Sequence, residues 1–193
     1  MYRGKLVSLR PFTEAESVRY LEWLNTVEAA SQLGRALPVT PLEHRNWYQG
    51  LVQRQDAVVF AVYPEEDSRY IGNVWLWDIH PIHRSAELRI FLGDPEARGR
   101  GYGTDACRVL LDFSFRRLNL HKVYVYVLAS NPRARRTFEK AGFREEGLLR
   151  DEFYVDGSYR DVLRMSALAT DPWPPPALAA SEGGQEPAAD PGT

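Results

Sequence analysis

The run Arg98-Gly99-Arg100-Gly101-Tyr102-Gly103-Thr104 is the part of the chain whose residue types and spacing come nearest to a binding site. Closely spaced glycines let backbone approach a ligand. The apolar residues that follow at helical spacing, Ala106, Val109, Leu110 and Phe113, make this turn the start of a helix. A helix start offers unpaired N–H groups and the positive end of a dipole, and Arg98 and Arg100 add fork-shaped donors. That chemistry suits an anion, phosphate above all; a tight turn with solvated arginines is the other reading of the same fragment. Neither standard nucleotide loop fits. There is no Gly-x4-Gly-Lys-Ser/Thr, and Thr104 stands where a dinucleotide fingerprint needs its third glycine.

Other reactive side chains are sparse. Glu87 precedes the turn and offers a carboxylate for proton transfer, or for an ion pair with Arg89 or Arg84. Cys107, the only cysteine, lies on the expected helix and reads as a small core residue. The histidines of His80-Pro81-x-His83 fall in a loop, and His44 and His121 are isolated. All four read as surface or loop residues, and no metal cluster is expected.

The elements that must position these groups follow from periodicity and caps. Lys5–Arg10 alternates as a half-buried strand and stops at Pro11. Thr13-x-x-Glu16 opens a helix whose apolar members are Val18, Leu21, Trp23 and Leu24. Thr40-Pro41-x-Glu43 opens another, running to Gln53 and burying Trp47 and Leu51. Ala57–Tyr63, Tyr70–Ile79 and Ala86–Leu92 read as an antiparallel meander. The helix after the glycine turn spans Tyr102–Leu118. Beyond it, Val123, Val125 and Val127 alternate with Tyr124, Tyr126 and Leu128 in a strand apolar on both faces, which puts Tyr126 in the core. Asn131-Pro132 starts a short helix that Gly142 stops, and Asp156-Gly157 joins Phe143–Val155 to Tyr159–Leu168 as a hairpin. The fold class is α/β of the α+β kind, with a mixed, mostly antiparallel sheet in the order β-α-α-β-β-β-α-β-α-β-β. One parallel crossover lies between Ala86 and Leu128.

At 193 residues with 44% apolar content, the chain suits one folded unit with a real core. The formal charge of −2 hides an asymmetry. Residues 170–193 carry Asp171, Glu182, Glu186 and Asp190 with no Lys or Arg, so the acidic excess of the whole chain becomes a basic excess in residues 1–169. We expect a single domain over 1–169 and a Pro-rich acidic tail over 170–193, disordered by composition. This balance argues against a long polyanion, so no direct nucleic-acid partner is expected. The longest apolar stretches, such as 57–63, are strand-sized, and Met1–Lys5 leads straight into a strand. A cytoplasmic protein without membrane partners is the expectation.

Arg98-x-x-Gly101-x-Gly103 resembles the acyl-CoA signature Arg/Gln-x-x-Gly-x-Gly/Ala of the GNAT N-acetyltransferases. The resemblance covers roughly residues 5–168 and is nearest to the ribosomal-protein-alanine and polyamine acetyltransferase branch. It is carried by Ile71-Gly72, by AELRIFLGDPEARGRGYGTDA at 86–106, by the Asn131-Pro132 helix ending in Lys140-Ala141-Gly142-Phe143, and by EGLLRDEFYVDGSYRDV at 146–162. What it implies is an N-acetyltransferase with acetyl-CoA as cosubstrate, in which an amine attacks the thioester directly. Arg98, Gly99, Arg100, Gly101, Tyr102, Gly103 and Thr104 would hold the pyrophosphate, mainly by backbone N–H groups. Phe91 and Leu92 would pair with the pantetheine arm as if it were a strand. Asn131 would reach the pantetheine region while capping its helix. Apart from the resemblance, Arg133, Arg135 and Arg136 bring charge toward the CoA phosphates, with Arg136 as the binding candidate and solvated helix charge the reading for at least two of the three. Glu87 matches a position where relatives place a general base.

One part of the pattern is missing. Many relatives have Tyr seven positions after the Asn, or Ser three after it; these positions are Phe138 and Ala134 here, and neither can protonate the departing thiolate. Ser130, Tyr126 and water are the remaining candidates. The acceptor site should form from the first two helices, the 79–85 loop and the final hairpin, with Trp75 and Trp77 lining it or packing in the core. Asp78, Glu28 and Asp151 show no obvious acidic cluster. A peptide or protein N-terminus, or a small primary amine, is therefore favoured as acceptor over a spermidine-type polyamine. A CoA-binding regulatory module on a degenerate fold is the reading from another class. A homodimer is expected from resemblance alone.

Overall fold

Alternating segments become strands, and the computed structural model joins them into one eight-stranded sheet. The structure describes residues 1–26, 29, 37–155 and 157–172. The strands are β1 (Tyr2–Arg3), β2 (Val7–Pro11), β3 (Val58–Pro64), β4 (Gly72–His80), β5 (Ser85–Leu92), β6 (Lys122–Leu128), β7 (Arg144–Val155) and β8 (Ser158–Leu168). The helices are α1 (Glu14–Leu24), α2 (Pro41–Gln53), α3 (Tyr102–Arg116) and α4 (Pro132–Ala141), with a 3-10 turn at Pro95–Ala97. Sheet order is β1-β2-β3-β4-β5-β6-β8-β7, and every neighbouring pair is antiparallel except β5 and β6. This is the mixed, mostly antiparallel fold expected from the sequence, with the short β1 added.

The parallel pair is brief. Its ladder joins Ser85 to Lys122, Ala86 to Val123 and Glu87 to Tyr124, and then stops. Residues 88–92 and 125–128 consequently diverge, opening a wedge in the middle of the sheet. Both strands keep their outer partners, β4 and β8, through this stretch, so the wedge has rigid walls.

Two apolar clusters flank it. On one side α3 packs Ala106, Cys107, Leu110 and Leu111 against Leu88, Val123, Val125 and Met165. On the other, Tyr20, Trp23, Leu24, Val39 and Phe91 form a smaller cluster with Tyr70 and Trp75. Capping boxes set the phase of α1 and α2: the side chains of Glu16 and Glu43 accept from the backbone N–H groups of Thr13 and Thr40.

That phase corrects two expectations. On α1 the buried stripe is Ser17, Tyr20, Trp23 and Leu24, while Val18 is 60% exposed. On α2 Trp47 and Leu51 are only partly covered, and the buried residue is His44, 5% exposed and so no loop histidine. A serine and a histidine replace apolar residues in the stripe because they satisfy each other, Ser17 Oγ lying 2.7 Å from His44 Nε2. The expected tail lies, from Trp173 onward, outside the described residues, as do Glu28 and the Asp156 of the hairpin turn. Among the described residues, no helix is long and apolar enough to cross a membrane.

Candidate active site

At the wide end of the wedge, the glycine turn forms as its residue types require. Gly99 and Gly101 have φ of 76° and 85°, the left-handed region that glycine enters without strain. Gly101 caps α3, whose first in-helix donor is Asp105 N–H to the Gly101 carbonyl. The amides of Tyr102, Gly103 and Thr104 precede that bond, as the free donors of a first turn do. They face a cavity of about 800 Å³ whose rim carries Lys5, Arg98, Arg108, Arg133, Arg136 and Lys140. Gly103 is the informative glycine. A methyl group there would meet Thr137 Cγ2 at 3.5 Å and Leu92 Cδ1 at 3.6 Å, ordinary contacts, so the fold itself does not demand glycine. Amides, cations and a bare helix turn together fit a phosphate-bearing ligand approaching the backbone closely.

Arg100 plays a different part from Arg98. Its guanidinium reaches Glu66 Oε1 at 2.6 Å, and the Tyr102 hydroxyl donates to the same oxygen at 2.6 Å. Glu66 thus ties the β3–β4 turn to the glycine turn and fixes the latter's shape. Burial, and then this bond to a carboxylate, push the Tyr102 phenol up, so it stays a donor. Arg98 and Thr104 line the cavity, whereas Arg100 does not. Asp105 also borders it, with Oδ2 accepting from Leu6 and Val7 amides at 2.7 and 3.1 Å.

The opposite side of the wedge opens into a second cavity, of about 750 Å³. Ile90, Leu92, Asn131, Ala134 and Phe138 line both spaces, so one passage runs through the sheet. Asn131 caps α4 by accepting from Ala134 N–H at 3.0 Å, and it also lines both cavities. Phe91 and Glu87 line the second cavity. Glu87 lies within 2.7 and 2.8 Å of two Arg89 nitrogens, so its ion pair and its place in the cleft coexist.

The cleft walls are aromatic. Trp47, Trp75, Trp77 and Phe153 line it; Trp77 lines the cavity, while Trp75 does so and also packs against the Tyr20 and Phe91 cluster. Tyr126 is there too, which overturns its assignment to the core. The odd-numbered valines of β6 pack under α3, whereas on the other face Arg164 lies over the tyrosines, its Cζ 4.5 Å from the Tyr124 ring and 5.8 Å from that of Tyr126. Ser130 is exposed and lines neither cavity.

Two lining residues escaped sequence reasoning. Glu43 looked like a capping residue only, and His44 like an isolated histidine. His44 Nε2 also lies 2.8 Å from the Ser17 carbonyl, and its ring stacks on Trp47 at 5.2 Å. Burial pulls the imidazole down, against the opposing pull of that carbonyl. Of the expected acids, Asp78 is paired with Arg54 at 3.2 Å and Asp151 lies on β7; neither lines the cleft. Among the described residues, no group of three or more His, Cys, Asp or Glu is placed to hold a metal ion.

Comparison with known proteins places this geometry. The acetyltransferase (GNAT) domain family matches residues 7–144. Spermidine N(1)-acetyltransferase of Escherichia coli strain K12 is 34% identical over 160 residues, which span 82% of this chain and 84% of that protein. The Vibrio cholerae enzyme of the same name is 44% identical over 107 residues, spanning 55% of this chain and 61%, under two thirds, of that protein. A crystal structure of spermidine N-acetyltransferase from Vibrio cholerae with CoA and spermine superposes with a TM-score of 0.79 at 33% identity, covering 86% of this chain and 96% of that one. On the domain match over residues 7–144, the 34% identity across most of both chains and the superposition, the chain belongs to the GNAT acetyltransferases and is an acetyl-CoA-dependent N-acetyltransferase.

Proposed function

We propose that the acceptor is a linear polyamine of the spermidine class, acetylated on a primary amine. The observation that carries this is the pairing of carboxylates with aromatic walls in one cleft: Glu43 and Glu87 beside Trp47, Trp75, Trp77 and Tyr126. Ammonium groups separated by methylenes suit such a surface, because carboxylates and π-faces both attract cations while the rings cover the CH₂ links. The likeness to spermidine acetyltransferases supports the same class. The peptide N-terminus favoured from sequence rested on a missing acidic cluster. Glu43 and Glu87 meet only through folding, from α2 and β5.

A polyamine sets a harder proton problem than an α-amine. At pH near 7.5 an amine of pKa about 10.4 is roughly 0.1% neutral, a cost of about 4 kcal/mol, whereas an α-amino group is about one-third neutral. Glu87 takes that proton, directly or through water, a role its position on the cleft wall supports. An incoming ammonium competes with Arg89 for the same carboxylate, so acceptor binding and release of the base are one event. Acetyl-CoA supplies the activated acyl group; Arg98, Arg136 and the backbone of 99–104 bind its phosphates, Phe91, Leu92 and Asn131 its arm. Dodecameric spermidine N-acetyltransferase from Vibrio cholerae supports assembly into homo-oligomers, of which the expected homodimer is the smallest.

The test is amine-dependent thiol release with spermidine, spermine and peptides bearing free N-termini, with intact-mass analysis of the products. We expect kcat/KM for spermidine to exceed that for any peptide by at least about tenfold, or about 1.4 kcal/mol in transition-state stabilisation. A peptide as the better acceptor would overturn the reading. CoA binding without turnover on any amine would move it to the regulatory class.

A further inference from the structure

We infer that Tyr126 is the proton donor to the departing thiolate, the role that Phe138 and Ala134 leave unfilled. The inference rests on acetyl transfer from CoA and is independent of which amine accepts the group.

The argument begins with direction. Phosphates at the glycine turn lie at the wide end of the wedge, beyond Leu92. An arm extended along residues 88–92 therefore runs toward the apex, where the β5–β6 ladder closes at Glu87 and Tyr124. The reacting carbonyl and sulfur lie near that apex. Tyr126 is on β6 two residues from the closing pair, on the same face as Tyr124, and its side chain lines the cavity that Glu87 also lines.

The other hydroxyl and imidazole donors lining the two cavities are engaged or packed elsewhere. The Tyr102 hydroxyl is held by Glu66, Thr104 and Thr137 hydroxyls point to backbone carbonyls, and His44 Nε2 lies against Ser17. Tyr20 packs in the α1 cluster against Phe91 and Trp75. Tyr126 is half-buried, and its phenol makes no hydrogen bond among the described residues. Arg164 places positive charge beside the ring, where a phenolate forms when the proton leaves.

The step balances as follows. The neutral amine nitrogen bonds to the acetyl carbon, and the C–S bond breaks with its electron pair going to sulfur. Tyr126 Oη gives its proton to that sulfur, and the phenolate recovers one from solvent. The new amide sheds the excess proton of the attacking nitrogen. The products are the N-acetylated amine and CoA thiol. An alkyl thiol of pKa about 8.5 gains from protonation as it leaves at neutral pH, which is why a donor here accelerates the reaction.

Tyr126→Phe removes only the hydroxyl, and its fold is checked by thermal melting. With the best amine acceptor and acetyl-CoA, we expect kcat to fall about 10²-fold while KM for acetyl-CoA stays within about twofold. The selenoester analogue of acetyl-CoA expels a much more acidic selenol and needs no donor, so the loss should shrink to about threefold or less. A binding measurement adds a readout outside turnover: CoA should bind the variant with unchanged Kd, but ultraviolet titration should find its bound thiol harder to ionise, since a donor to the thiolate is gone. Equal losses with both donors, an unchanged kcat with acetyl-CoA, or an unmoved thiol titration would each overturn the assignment.

Discussion

Glu87 carries two relationships at once: it faces the acceptor cleft and is clasped by Arg89. Its contribution should therefore depend on how basic the amine is. Glu87→Gln is expected to lower kcat/KM for spermidine about 10²-fold, and far less for an α-amine peptide that is already partly neutral. Parallel pH profiles on the two acceptors check this, and equal losses would remove Glu87 as a base. Individual residues were also where sequence reasoning was weakest. Arg98 and Arg100 look equivalent two positions apart, yet Arg100 is tied to Glu66 while Arg98 lines the cavity, and no local pattern announces a carboxylate from another turn. Tyr126 sits in a run with the periodicity of a two-sided core strand. Whether its second face meets a helix or a cleft depends on where α4 lies, which is non-local.

Elements were legible because their signals are short-range. Both capping boxes, the Asn131-Pro132 start and the left-handed Gly142 stop formed as their residue types dictate. The wedge was not legible as geometry, since nothing in β5 or β6 alone states where a ladder ends. Gly103 separates folding from binding at the start of α3. Gly103→Ala should leave stability unchanged or raise it by about 0.4–1 kcal/mol, while raising KM for acetyl-CoA. Denaturant unfolding and saturation kinetics on the same preparation test both halves; a destabilised protein would mean the fold needs this glycine.

The Ser17–His44 contact joins α1 to α2 and makes that joint sensitive to acid. The folded-state imidazole titrates below its ordinary value of 6.5, so the unfolded chain takes up the proton first as pH falls. The joint's stability is complete above about 6.5 and is lost between there and the lower folded value. Melting temperature should drop across this window in the native chain and drop less in His44→Gln, which keeps a donor toward Ser17 without the titration. Matching curves for the two would exclude His44 as the cause.

For the whole molecule, near-neutral formal charge coexists with a strongly cationic rim around one cavity. Long-range attraction for a multiply charged phosphate ligand is screened beyond a Debye length of about 8 Å at physiological ionic strength. KM for acetyl-CoA should accordingly rise severalfold as salt is raised from about 0.01 to about 0.5 M, whereas an acetylated pantetheine lacking phosphates should show little dependence. Kinetics with both donors decide it.

The divergence of β5 and β6 has a further consequence, for solubility. Ile90-Phe91-Leu92 and Val125-Tyr126-Val127 are short, apolar and extended, the kind of segment that recruits other chains into cross-β assemblies when its edge is exposed. Here those two edges face each other inside the sheet, between the α3 core and the aromatic cluster under α1. A neighbouring molecule cannot add a strand without first prying the walls apart. A cleft cut into the centre of a sheet thus exposes backbone to a narrow cosubstrate while denying it to another protein, a protection that an equivalent cleft at the sheet's margin would lack.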